Sequence, residues 1–351
     1  MIAFISKRLA YGFLVMVLVV ITITSIIYLA PVDPTRLTFG QRSDAATVEA
    51  KQKELGLDQA LPVQLYRYLV DLSPINWIDS NNDKLDTYSH FTLYQGDKSL
   101  IIKWPWLRES YQTGRPVIDI MKEAIPKTAL LALCAILIAT FLGLILGVIA
   151  AVKKNTKIDS LIVMLSVFGY SLPSYVTAII LAVLFGFLLN AYTGLNIQGS
   201  IVELNDIGDE VFVWKNLLLP SLALGLRPIA IITQLTRSAM LDVMSQPYIR
   251  TAKAKGLSYY TVLFKHALRN ALNPVVTAVS GWFAALLAGA FFVENVFNFK
   301  GLGDITVNAL LNFDIPVVLA AVLFTALVFI IINIIVDLLY VLIDPRIKFD
   351  S

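Results

Sequence analysis

Histidine occurs twice in this chain, at His90 and His266, and cysteine once, at Cys134. A zinc site built from histidine and cysteine needs three or four such ligands, so that chemistry is excluded. Neither histidine has a neighbouring Ser or Cys that would form a nucleophile–base pair. His266, in a basic stretch, reads as a solvated or packed side chain, and Cys134 has no second thiol to pair with. No Gly-x-x-x-x-Gly-Lys-Ser/Thr segment is present, so a nucleotide phosphate cannot be cradled in the P-loop manner. The chain reads as a non-enzyme with no metal and no cofactor of its own. One segment, in contrast, is patterned for contact. Tyr248-Ile249-Arg250-Thr251-Ala252-Lys253-Ala254-Lys255 lies between Ser245-Gln246-Pro247 and Gly256-Leu257. Ser245 suits an N-cap, Pro247 a first turn, and Gly256 the left-handed C′ position. Ser258 then opens a second helix toward Asn270. A two-turn helix is unstable alone in water, so this one must pack on the membrane surface, on the chain's own helices, or on another protein.

The elements that position this segment follow from composition. Of 351 residues, 57% are hydrophobic and only 15% charged, against about 25% charged in ordinary soluble domains. A water-soluble fold of this size has too little interior to hide that surface. The net charge of +3 is too small to argue nucleic-acid binding. A bilayer core takes about 20 apolar helical residues, because each backbone polar group must be paired within the segment. Stretches free of charge, or nearly so, predict six transmembrane helices at residues 9–32, 128–152, 160–189, 217–236, 273–293 and 315–336, with Pro274 marking entry to the fifth. The first is read as a span and not as a cleaved signal peptide, because its apolar run is about twice the usual length. Thirteen Lys and Arg residues fall in the tails and short loops of one side, against two on the other. That asymmetry predicts both termini in the cytoplasm.

The long outer segment, 33–126, has nearly balanced charge and three of the five tryptophans, Trp77, Trp104 and Trp106. Ser43 or Asp44 can cap a helix ending at Leu55-Gly56, and Pro62 opens an amphipathic piece over 63–72. Residues 91–94 and 100–104 flank Gln95-Gly96-Asp97-Lys98-Ser99 as a hairpin, so a small α+β insertion is predicted here. Within the spans, Arg227 is costly in lipid. It either lines a passage or pairs with a fixed acid such as Glu294. Asp337 reads as an interfacial residue. Gly169-Tyr170-Ser171-Leu172-Pro173 either breaks a helix beside a cavity or kinks it. Tyr170, Ser171, Pro173, Arg227 and Glu294 are therefore the candidate passage residues.

The cytoplasmic segment, with Thr236-Arg237-Ser238-Ala239-Met240-Leu241-Asp242-Val243 before it and His266-Ala267-Leu268-Arg269-Asn270-Ala271 after it, resembles the permeases of bacterial dipeptide and oligopeptide ABC importers. The likeness extends to Pro31-Val32-Asp33-Pro34, Glu54-Leu55-Gly56-Leu57-Asp58, Gly169-Tyr170-Ser171-Leu172-Pro173, Leu286-Leu287-Ala288-Gly289-Ala290, Gly301-Leu302-Gly303 and Val336-Asp337-Leu338-Leu339-Tyr340. Two departures stand out. Arg250-Thr251-Ala252 and His266-Ala267-Leu268-Arg269 replace the general importer signature, a variant common in the peptide branch. Residues 75–104 exceed the family's usual connection.

The resemblance implies an all-α core at 127–343, an N-terminal span and outer segment at 1–126, and a tail at 344–351. It implies a coupling helix, Tyr248 and Arg250 to Leu257 (Arg250, Thr251, Ala252, Lys253, Ala254, Lys255, Gly256, Leu257), with Ala252 and Ala254 seated in a cleft of an ATPase subunit. Implied partners are a second homologous permease, two ABC ATPase subunits holding ATP and Mg, an extracytoplasmic substrate-binding protein, a peptide and membrane lipid, all at the bacterial inner membrane. Import of nickel or another small solute shares the motifs. A secondary transporter or channel is the remoter alternative.

Overall fold

The computed structural model describes residues 2–29, 49–50, 52–53, 58–79, 90–96, 98–205 and 207–343, and these are mostly helical. Helices α1 (Ile2–Leu29) and α2 (Leu61–Leu72) come first, then strands β1 (Ile75–Asp79), β2 (His90–Tyr94) and β3 (Lys98–Lys103). Next are α3 (Val117–Val152), α4 (Lys157–Ser171), α5 (Ser174–Leu181) with its π-helical continuation Ala182–Leu188, and α6 (Asn190–Thr193). A ribbon of β4 (Val202–Leu204) and β5 (Glu210–Phe212) precedes α7 (Lys215–Met244) and α8 (Pro247–Ala254). The π-helical segment Thr261–Leu268 leads into α9 (Arg269–Gly289), followed by α10 (Phe291–Phe297), α11 (Leu302–Leu311) and α12 (Ile315–Ile343).

Among the described residues, four helices are long and apolar enough to cross a membrane, over Val117–Val152, Lys215–Met244, Thr261–Leu287 and Ile315–Ile335. The span expected at 160–189 is not one helix. It is the pair Lys157–Ser171 and Ser174–Leu188, bent by 106°, because Leu172 before Pro173 is forced into extended backbone (φ −74°, ψ 133°). Where the first span is expected, at 9–32, α1 contains the shorter apolar stretch Ala10–Ile26. Pro274, expected to mark the entry to the fifth span, lies inside a helix that runs through it. Membrane helices tolerate such interior prolines.

The chain divides into two compact units. The first comprises Met1–Gly12, Ala124–Asp304 and Thr325–Ser351. Its packing is that of a membrane protein. Helix α3 buries Ala132, Ala135 and Ala139 while Leu133, Leu137 and Phe141 stay exposed, since lipid gives large apolar side chains no reason to hide. Small residues instead let α3 and α7 cross closely. A Cβ on Gly143 would lie 2.7 Å from Ile232, one on Gly147 2.5 Å from Thr236, and one on Gly225 3.0 Å from the Ala135 carbonyl.

The second unit, Phe13–Glu123 with Ile305–Phe324, contains the outer segment. Helix α2 opens at Pro62 as expected, and its Tyr68 packs with Val20, Ile315 and Leu319. The expected hairpin is present as antiparallel β2 and β3. A third strand, β1, was not foreseen. It pairs with β3 in register Ile75↔Ile102 through Asp79↔Lys98, giving the order β1-β3-β2. One sheet face is buried through Ile78 and Ile101 against Trp106. The unit is tied by Arg108 to Asp71 (2.8 Å) and by Ser110 and the Tyr111 amide to Asp314 (2.5 and 3.0 Å). The helix read from Ser43 to Gly56 lies outside the described residues, apart from 49–50 and 52–53.

Because α3 and α7 touch through hydrogen-sized surfaces, Gly147→Leu must push them apart. Overpacking of this kind costs about 1–3 kcal/mol, so the melting temperature of the detergent-purified chain should fall clearly. Gly281, with open space around its Cβ position, is the control. Gly281→Ala should leave that temperature unchanged or slightly raised.

Candidate functional site: a buttressed short helix and a broken helix pair

Helix α8 starts on Gln246 (φ −68°, ψ 148°), whose side chain makes no cap, with Pro247 in the first turn. The expected cap, Ser245, does other work: it ends α7, its hydroxyl donating to the Asp242 carbonyl at 2.7 Å. The far end is as expected. Gly256 adopts φ 76°, its amide reaches the Lys253 carbonyl (3.0 Å), and the Leu257 amide reaches Ala252 (3.4 Å). This pair of bonds is a Schellman motif, which requires a left-handed C′ residue. Ser258 accepts from the Thr261 amide at 3.3 Å, opening the next helix.

Of the three surfaces that could support so short a helix, the chain supplies its own. Ile249 and Ala252, three residues apart and so on one face, are buried with Ala151, Met240, Val262, Leu263 and Ala267. Ala252 is thus turned into the chain's own core and does not sit outward beside Ala254 as expected. The helical period decides this, since Ile249 is the strongest apolar anchor and carries Ala252 with it. Tyr248, Arg250, Thr251, Lys253, Ala254, Lys255, Gly256 and Leu257 remain exposed. The result is a rigidly seated helix whose outer face is basic and aromatic.

At the break between α4 and α5, the Ser171 hydroxyl donates back to the Val167 carbonyl at 2.8 Å. Arg227 of α7 places its guanidinium 5.9 Å from the Tyr170 ring centroid, a cation–π contact. Tyr170, Ser171, Pro173 and Arg227 are therefore brought together. Helix α4 can approach α7 there because residue 169 is glycine, whose Cβ would stand 3.3 Å from Leu226.

Glu294 is not with them, and it is not Arg227's partner. It is fully buried and accepts from Thr128 (2.7 Å), the Gly303 amide (2.7 Å) and the Asp304 amide (3.2 Å), while Thr128 accepts from the Leu302 amide (2.7 Å). These are the first N–H groups of α11, which have no acceptor inside the helix. Glu294 is thus a cap brought from α10, favoured also by the helix dipole. Gly301 leaves it room: a Cβ there would lie 2.5 Å from both Glu294 and Thr128. The sequence signal was Gly301-Leu302-Gly303, but nothing local linked it to Thr128. A second pairing, Asp159 with Arg237, also escaped the sequence reading, although Arg237 stood in a recognised motif.

Residues 143–349 match the family described as binding-protein-dependent transport system inner membrane component. Residues 1–82 match that system's N-terminal membrane-component family. A protein of Brucella abortus (strain 2308) named as a peptide transport system permease is 37% identical over all of both chains. The glutathione transport system permease GsiC of Pectobacterium atrosepticum is 33% identical, over 99% of this chain and all of that one. Among solved structures, the inward-facing MetNI methionine ABC transporter is similar in fold, with a TM-score of 0.52 at 15% identity, covering 63% of this chain and 95% of that one.

Glu294 lies beyond the end of the Thr261–Leu287 span, and burial raises its carboxyl to about 7 against the lowering effect of its hydrogen bonds. Between its ordinary value and about 7 the folded state binds the extra proton. Stability from this group is therefore complete at low pH and is lost as pH rises through about 7. Glu294→Gln, which keeps an acceptor for the amides, should flatten that decline in melting temperature measured from pH 5 to 8. Glu294→Ala orphans buried N–H groups, at about 1–3 kcal/mol each, and should lower the melting temperature across the whole range.

Proposed function

This chain belongs to the binding-protein-dependent transport system inner membrane components, and from that premise we propose that it carries small peptides across the bacterial cytoplasmic membrane. It does so as one of two homologous permease subunits, with two ATPase subunits that hold ATP and Mg and an extracytoplasmic binding protein that delivers the peptide. The full-length relatives named for peptide and glutathione transport support the substrate class. In this reading six spans cross the membrane with both termini inside. The N-terminal span and insertion occupy 1–126, the transport core 127–343 and the tail 344–351.

The observation that carries the mechanism is α8. An ATPase can move a permease only by pushing on something that does not yield, and α8 is anchored by buried Ile249 and Ala252 and closed by the Schellman turn at Gly256. Its exposed Tyr248, Arg250, Lys253, Ala254 and Lys255 form the surface offered to the ATPase. The broken span supplies the other end of the stroke. Tyr170, Ser171 and Pro173, with Arg227, line the passage, and the guanidinium is suited to a peptide's C-terminal carboxylate. No covalent chemistry is assigned to this chain.

Two experiments test this. Cysteines at Asn81 and Ser258 in a Cys134→Ala background should label from outside and inside intact cells respectively. Labelling of both from one face would end the six-span topology. Gly256→Val meets no neighbour, since no atom lies within 4 Å of the Cβ position, but it forces a β-branched residue to positive φ, at about 1–2 kcal/mol. It should leave membrane insertion near normal while abolishing ATP-driven peptide uptake and weakening ATPase retention. Lys253→Ala should do less, since an exposed charge pair is worth about 0–1 kcal/mol. Full uptake by Gly256→Val would remove α8 as the coupling element.

A further inference from the structure

Asp159, in the first turn of α4, has a side chain only 5% exposed, and Arg237 of α7 grips it with two parallel bonds. Nε reaches Oδ1 at 2.6 Å and Nη2 reaches Oδ2 at 2.8 Å. The Asn155 amide adds a third bond, to Oδ2 at 2.9 Å, from a residue held at φ 61°. The base of α4, the loop before it and the cytoplasmic end of α7 are thereby fixed to one another.

The pair stands between the two halves of the proposed stroke. Three residues beyond Arg237 on α7 is Met240, fully buried, which packs with Ile249 and Ala252 of α8. About 20 Å along α4, at 1.5 Å per residue, is the 106° break with Tyr170 and Ser171. There Gly169 again brings α4 against Leu226 of α7. A displacement of α8 therefore reaches α7 through packed apolar side chains and reaches α4 through the ion pair at one end and a glycine contact at the other.

We propose that Asp159 and Arg237 are positioning residues, a strut that makes α4 and α7 move as one body so that a push on α8 re-aims the broken span. Apolar contacts between helices can slide, because dispersion is not directional. A forked guanidinium–carboxylate pair fixes both separation and rotation, and parting it leaves the nearly buried Asp159 carboxylate without its fork. The proposal rests on the coupling role given to α8 above.

The test uses the complete importer in liposomes, with binding protein loaded with peptide, reading ATP hydrolysed and peptide taken up in the same vesicles. Asp159→Asn keeps the shape but weakens the grip, and Arg237→Lys keeps the charge but cannot fork. Each should leave the ATPase subunits bound and hydrolysis within about twofold, while uptake falls about tenfold, an ordinary size for coupling between sites. The ATP spent per peptide should rise by the same factor. Unchanged uptake and unchanged ratio in both variants would overturn the strut. So would parallel loss of assembly, hydrolysis and uptake in both, which is what a purely structural pair predicts. Should only Asp159→Asn fail to assemble, Arg237→Lys decides. Gly256→Val in the same assay separates the two ideas. If it is inactive while the pair variants transport normally, the strut alone fails. If it transports normally, the coupling role of α8 fails and the strut with it.

Discussion

Helices in lipid gain nothing by hiding leucine from their surroundings, so what holds them together must be close contact. Here that constraint is met where α3 and α7 cross. Gly143, Gly147 and Gly225 remove every atom that would separate the two backbones, and Ile232, Thr236 and the Ala135 carbonyl occupy the space. Helix α7 is consequently the central member of its unit. It carries Arg227 to the break, Arg237 to the base of α4 and Met240 to the seat of α8. Each of those positions is only as well defined as the crossing that fixes α7.

Polar groups do the rest, and few are idle. In a setting poor in water, a carboxylate is retained where several donors converge on it. Asp159 meets a guanidinium fork and an amide. Glu294 meets a hydroxyl and two amides at a helix start. Asp314, in the other unit, takes Ser110 and the Tyr111 amide. In each case at least one partner is distant in sequence, Arg237 for Asp159, Thr128 for Glu294 and Ser110 for Asp314, so these bonds tie elements together that apolar packing alone would leave free to slide.

That distance also explains what was legible in the sequence. Local chemistry could be read directly: Gly256 at positive φ, Pro62 opening α2, the β2–β3 turn, and a break at Leu172-Pro173 all follow from the preferences of one or two residues. Choices between competitors were harder. Ser245 can cap α8 or close α7, and only the three-dimensional path favours the second. Ala252 and Ala254 look alike in sequence, but the helical phase set by Ile249 buries one and exposes the other. Strand β1 escaped, although Pro74 and Ser80-Asn81-Asn82-Asp83 bracket it, because its five residues are paired only by β3, about twenty residues further on. Charge alone offers Arg227 as one partner for Glu294, whereas its real partners are uncharged donors that no charge count reveals.

The cap on α11 has a consequence for how the chain is made. Thr128 and Leu302, joined by one hydrogen bond, are 174 residues apart, so most of the polypeptide is synthesised before that bond can form. Contacts of such long sequence separation are the slow ones in folding, because a large loop must close first. Until Thr128 meets the start of α11, the Leu302 amide has no acceptor inside its helix. The closing of this corner is therefore a late event in biogenesis.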